Sequence, residues 1–149
     1  MTQRAGYSYL QILLVVALLA ILAAVASPYY VRWQQQQRVQ STALLLVSDL
    51  QSTQTRAMQR YYDAAWGIRI NDSAKAYTVF RGSTYAAADT YNYTVTYPSS
   101  VSISPDQDIV FTPSSGELDG ASSVALTISS AGTPTDSATI NINAQGLID

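Results

Sequence analysis

The side chains able to do chemistry are few, and their types exclude most of it. The chain has no histidine and no cysteine. That removes Ser-His-Asp and Cys-His catalysis and every zinc site built from imidazole or thiolate. The sole lysine, Lys75, stands two residues after Ser73. A Ser-Lys pair is conceivable there, but Asn71 and Asp72 just before it mark a turn rather than a catalytic strand end. Asp106 and Asp108 sit at i, i+2 spacing, a weak oxygen pair for calcium; a solvated turn ahead of the apolar run at Ile109 explains them more simply. Asn71-Asp72-Ser73 and Asn92-Tyr93-Thr94 match the N-glycosylation triplet, a match common by chance. No catalytic residue, metal ligand or cofactor is assigned. Eleven tyrosines remain. Tyrosine suits binding surfaces, but in strands it more often lies half-buried, and that is the expectation for most of these.

The elements that must position these residues fall into two halves. From Ile12 to Val31 the chain is apolar except for Ser27, Pro28 and two tyrosines. Twenty helical residues rise about 30 Å, one hydrocarbon thickness. No polar face interrupts the run, so it suits a membrane or an equally dry protein assembly. Three readings fit such a segment. Ala23-Ala24-Val25-Ala26-Ser27 has the small residues of a signal-peptide cleavage site. A single-pass anchor would put Tyr29, Tyr30 and Trp33 at the interface. The third is a helix that continues past Pro28, which apolar surroundings tolerate as a kink.

Apolar periodicity continues beyond Trp33 and the run Gln34-Gln35-Gln36-Gln37. Val39, Ala43, Leu46, Leu50, Ala57 and Tyr61 recur at three-, four- or seven-residue spacing, as on one helix face. Arg38, Asp49, Arg56 and Arg60 stay mostly off that face. One helix from near Tyr7 to about Tyr62 is expected, apolar all round in its first half and amphipathic in its second. Past Asp63 the period becomes two. Strands are expected at Trp66–Ile70, Ala76–Phe80, Tyr91–Tyr97, Val101–Ile103, Ile109–Thr112, Val124–Ile128 and Ala138–Ile142. Turn residues separate them at 71–73, 81–83, 98–100, 113–116 and 132–134.

Charge is divided in the same way. Arg32, Arg38, Arg56 and Arg60 face one acid, Asp49, in the helix; beyond it Arg69, Lys75 and Arg81 face nine acids. The acidic second half argues against binding a phosphate backbone. Charge counting leaves the orientation in a membrane open, since Arg4 and the α-amine stand on one flank and Arg32 and Arg38 on the other.

Gly6-Tyr7-Ser8-Tyr9-Leu10-Gln11-Ile12-Leu13-Leu14-Val15-Val16-Ala17 resembles the class III signal of type IV pilins and pseudopilins. That family has a short basic leader ending in Gly, then usually Phe-Thr-Leu-Ile-Glu and an aliphatic helix. The resemblance implies cleavage by prepilin peptidase between Gly6 and Tyr7 and N-methylation of Tyr7. Pro28 falls where many pilins carry a kinking proline. Two departures stand out: Tyr7 replaces the family's Phe, and Gln11 replaces its Glu. In the family that Glu is thought to meet the methylated amine of a neighbouring subunit. Gln11 offers a dipole where an ammonium in an apolar core gains most from a charge. Members lacking the Glu are often minor subunits, some at the filament tip; the other reading is that Gln11 is tolerated in this lineage. The cysteine pair near the C-terminus of many pilins is absent.

The second half is similar to the minor pseudopilins and minor pilins related to the H component of type II secretion. The residues are Trp66-Gly67-Ile68-Arg69-Ile70, Tyr77-Thr78-Val79-Phe80, Ile109-Val110-Phe111-Thr112-Pro113-Ser114-Ser115-Gly116 and Ile140-Asn141-Ile142-Asn143-Ala144-Gln145-Gly146-Leu147-Ile148. The Phe-to-Gly spacing is longer by one residue than in that group.

The resemblance implies an α+β fold of the type IV pilin kind: a long N-terminal helix packed on an antiparallel β-sheet domain. Its divisions would be a cleaved leader (1–6), a transmembrane or filament-core helix (7–31), the amphipathic half of that helix (32–62) and a β-rich head (63–149). The implied function is a non-enzymatic structural subunit of a type IV pilus-like filament or a type II secretion pseudopilus. Gln11, Leu14 and Pro28 would serve assembly, with other pilin subunits, prepilin peptidase and the cytoplasmic membrane as partners. The subunit would be single-pass before assembly, and extracellular or periplasmic in the filament. The alternative is a minor tip pilin that binds DNA or a surface.

Overall fold

The computed structural model describes residues 9–120, 122–131 and 133–149, the side chains of 23–29 and 133–135 excepted. Two units make up the chain, residues 1–34 and 35–149. Helix α1 runs over Tyr9–Met58, where Leu, Ala and Gln, all good helix formers, dominate.

Within the second unit one face of α1 is buried: Val39, Thr42, Ala43, Leu46, Leu50, Thr53 and Ala57. The spacing is that of a single helical stripe. Two of the seven are threonines; Thr53 is accommodated because its hydroxyl donates to the Asp49 carbonyl, 2.6 Å away. The helix ends at Met58 rather than near Tyr62 because Arg60 turns left-handed (φ 52°). Ser114 N–H then caps the Ala57 carbonyl at 3.1 Å. Tyr61 therefore leaves the helical stripe and is exposed, contrary to its apolar spacing.

All seven expected strands form, with shifted ends: β1 Trp66–Asn71, β2 Ala76–Arg81, β3 Tyr93–Thr96, β4 Val101–Ser104, β5 Asp108–Phe111, β6 Ser123–Ser130 and β7 Thr133–Asn143. The turn expected at 132–134 falls partly on β7, which already starts at Thr133. The strands divide between two antiparallel sheets, ordered β3-β2-β1-β5 and β4-β6-β7. Trp66 lies opposite Arg81 of β2 and Phe111 of β5. Central strand β1 is buried on both faces at its start. Gly67 is required there, since a Cβ would stand 2.7 Å from both the Ile109 carbonyl oxygen and the Phe80 ring.

A single core joins the helix to both sheets. Val39, Leu46 and Leu50 of α1 share it with Trp66, Ile68 and Phe111 of the first sheet and Ile103, Leu126, Ile128 and Ile142 of the second. One carboxylate ties the sheets together at their margin. Asp72, in the turn between β1 and β2, accepts from Lys75 Nζ, Tyr97 Oη, Ser102 Oγ and Ile103 N–H, each at 2.8 Å. The last two donors belong to β4. Burial alone would raise the Asp72 carboxyl; these four donors outweigh it and hold it at about 2.

Candidate functional site

In the first unit the described apolar side chains face outward without cover. Leu10, Ile12, Leu13, Leu14, Val15, Val16, Leu18, Leu19, Ile21 and Leu22 are each at least half exposed, Leu14 at 62%. Burying one such side chain is worth roughly 1.5–3 kcal/mol. A continuous surface of this kind marks a contact with another apolar phase or another protein. Gln11 is exposed among them, and with Ile12, Val15 and Val16 it lines a notch of about 180 Å³. Gly6 and Tyr7 lie outside the described residues. Pro28 lies on α1, but its side chain is outside what is described. Among the described residues no helix is long and apolar enough to cross a membrane; the described apolar part, Tyr9 to Leu22, rises about 21 Å.

In the second unit the end of α1 is clasped by two loops. Gln54 Nε2 donates to the carbonyls of Gly116 (3.0 Å) and Gly146 (2.9 Å). Both glycines are left-handed, at φ 70° and 81°. A Cβ on Gly116 would stand 2.6 Å from the Met58 side chain, and one on Gly146 would run into the Gly116 carbonyl oxygen and the Gln54 amide. Each loop is shaped by its own sequence. Gly116 N–H returns to the Thr112 carbonyl, and Thr112 N–H to that of Glu117. Asn143 accepts Gly146 N–H at its carbonyl and Leu147 N–H at its side chain, both at 2.9 Å. The tail then adds a bridge to β7, with Ile148 opposite Ile142.

No family model and no curated protein matches this sequence, but solved structures align with it in three dimensions. The minor pseudopilin EpsH of the Type 2 Secretion System of Vibrio cholerae aligns over 75% of this chain and 94% of that one, at 16% identity and a TM-score of 0.57. The type IV minor pilin FimU of Pseudomonas aeruginosa aligns over 78% and 90%, at 18% identity and a TM-score of 0.62. This is the type IV pilin fold. Its long helix on an antiparallel β domain is what the N-terminal residues implied.

Within this pilin fold the other sequence candidates take structural roles. Lys75 pairs with Asp72 rather than Ser73, so no Ser-Lys pair forms. Asp106 accepts the Asp72 amide at 2.9 Å, Asp108 stands 3.7 Å from Arg69, and among the described residues no group of three acidic or metal-binding side chains gathers. Asn71 caps the turn by accepting Ala74 N–H. Asn92 donates to the Ala86 carbonyl and shapes the alanine-rich loop. The tyrosine expectation is corrected: Tyr77 and Tyr97 are buried, whereas Tyr9, Tyr30, Tyr61, Tyr62, Tyr91 and Tyr93 are exposed. Tyr77 also engages Asp49, the one acid on the helix. Its hydroxyl donates to Asp49 Oδ2 at 2.6 Å, and burial, then the Asp49 carboxylate, push the phenol well above its usual range. The pair joins residues 28 positions apart, and only the register of β2 against α1 brings them together.

Proposed function

We propose that this chain is a non-catalytic structural subunit, pilin or pseudopilin, of a type IV pilus-like filament or a type II secretion pseudopilus. One observation carries the reading: a pilin-fold head is joined to a helix whose described apolar side chains have nothing to bury them in the isolated chain. Packing of such helices against one another, or against lipid beforehand, removes that surface from water.

The remaining steps follow the sequence. Prepilin peptidase cleaves after Gly6, and Tyr7 becomes the methylated N-terminus. The run through Val31 holds the subunit in the cytoplasmic membrane, single-pass, until it enters an extracellular or periplasmic filament. Leu14 packs in the filament core, Pro28 bends the helix there, and Gln11 meets a neighbour's amine as a neutral acceptor. The partners are other pilin or pseudopilin subunits. Gln11 and the two minor-subunit structural neighbours also favour a second reading, a minor tip subunit that engages DNA or a surface. The excess of acids beyond the helix weighs against DNA.

The test is a buried charge. Leu14→Arg or Ala20→Asp should abolish filament assembly or membrane retention, because an unpaired charge in an apolar medium costs several kcal/mol. Full-length filaments from either variant would end this reading.

A further inference from the structure

The two ends of strand β1 are chemically opposite. At the Trp66 end four aromatic rings touch in series, tilted or edge-to-face: Trp66–Tyr61 at 5.9 Å, Tyr61–Tyr62 at 4.5 Å and Tyr62–Tyr91 at 4.6 Å between centroids. Arg81 lies over Tyr91 at 4.2 Å, and Arg56 over Trp66 at 5.3 Å. Tyr61 and Tyr62 remain 51% and 52% exposed. Tyrosine, tryptophan and arginine in one cluster are the residue types that dominate protein–protein hot spots.

The backbone is strained to hold these rings outward. Arg60, Tyr62 and Asp63 all have positive φ, at 52°, 61° and 50°. Left-handed non-glycine residues are costly and concentrate where function needs them. Surrounding bonds hold the strain in place: Trp66 Nε1 donates to the Tyr61 carbonyl at 2.9 Å, and Arg60 Nε to Ser114 Oγ at 2.6 Å.

Charge supplies the partner. At the Trp66 end Arg81 pairs with Asp89 and Arg60 with Asp63, while Arg56 has no carboxylate partner among the described residues. At the Asn71 end, about 17 Å along the strand, Lys75 neutralises Asp72 and Arg69 pairs with Asp108. Asp106 accepts only a backbone amide and meets no cation among the described residues. It borders a recess of about 180 Å³ lined with Arg69, Ile70, Asn71, Gln107 and Asp108. One end thus has a projecting aromatic cluster with a spare positive charge; the other has a polar hollow with a spare negative one.

We propose that the Tyr61–Tyr62–Tyr91 cluster with Arg56 is a docking surface whose occupant is the Asp106 recess of a second copy of this chain. Such a contact joins two different surfaces, so it is heterologous and passes from copy to copy, in a ring or a line, instead of closing a two-fold dimer. It rests on the filament reading only in requiring copies to be neighbours, and it goes beyond that reading by naming the head surfaces that meet.

The chain has no cysteine, which makes disulfide trapping free of background. Thr90 is exposed beside Tyr91 and takes no part in the ring contacts, so full-length Thr90→Cys and Gln107→Cys chains are reconstituted together in phosphatidylglycerol-containing vesicles and oxidised, with Thr90→Cys plus Thr139→Cys as the control pair. The Thr90/Gln107 heterodimer should exceed the control about tenfold; Arg56→Asp should cut it about tenfold, and Asp106→Arg in the other chain should restore it. No excess over the control, or a Thr90→Cys homodimer in equal yield, would overturn the proposal. Vesicle retention, scored in the same samples, separates the two readings. Retained chains without the excess crosslink end the docking surface alone, whereas chains that fail to enter vesicles end the filament reading and this proposal with it.

Discussion

The glycine clasp at the end of α1 makes a quantitative claim. Replacing Gly146 by Ala places a methyl against the Gly116 carbonyl oxygen and the Gln54 amide, at a residue with φ 81°. The left-handed backbone alone costs a non-glycine residue about 1–2 kcal/mol. The methyl also displaces Gln54 from two carbonyls, each bond worth about 0.5–1.5 kcal/mol net. The sum is about 2–5 kcal/mol, a large part of the ~5–15 kcal/mol that holds a typical domain. Gly120 is the internal control: its φ is 73°, but a Cβ there meets nothing within 4 Å, so Gly120→Ala should show the backbone cost alone. The assay is urea unfolding of the full chain in detergent, read by the fluorescence of buried Trp66 in a Trp33→Phe background. Gly146→Ala should lose about 1–3 kcal/mol more than Gly120→Ala. Equal losses would mean that the clasp contributes nothing and that both glycines serve only their turns.

Other outcomes are as specific. The Asp72 carboxyl is held down at about 2, below the 3.8 of a free aspartate, by its four hydrogen-bond donors. A depressed carboxyl stabilises above its unfolded value and loses that contribution as pH falls through the folded one, so the wild type should weaken between about pH 4 and pH 2, and Asp72→Asn should be less stable at neutral pH with a flatter acid limb in the same urea titration. Gln11→Glu should preserve or increase incorporation into filaments, measured as the filament-to-membrane ratio with and without other pilins; long homopolymers of the wild type alone would show Gln11 to be a tolerated substitution. Intact mass of purified filaments should place the mature N-terminus at Tyr7, and a bulky residue at Gly6 should block that cleavage; a terminus near Ser27 would mean a secreted domain instead.

Local pattern determined most of the elements. Seven strands were legible because β-formers alternate between turn residues, and the helical stripe of Val39, Ala43, Leu46, Leu50 and Ala57 because 3.6-residue spacing places them on one face. The apolar run at the N-terminus was legible from composition alone, since a helix without a polar face has few possible surroundings. These are properties of neighbours in the chain. What the tertiary structure decided involves residues far apart in it. Alternation says that a strand has two faces but not which strand it pairs with, so the division into two sheets was hidden. Asp72 read as a turn residue until β4 brought Ser102 and the Ile103 amide to it. Gly116 and Gly146 stand in two separate stretches of the sequence; they meet at Gln54 across 62 and 92 positions. Tyr61 kept its helical spacing but left the core when Arg60 turned left-handed. A residue's spacing names the face it would occupy if its element continued, and only packing decides where the element stops and what it meets.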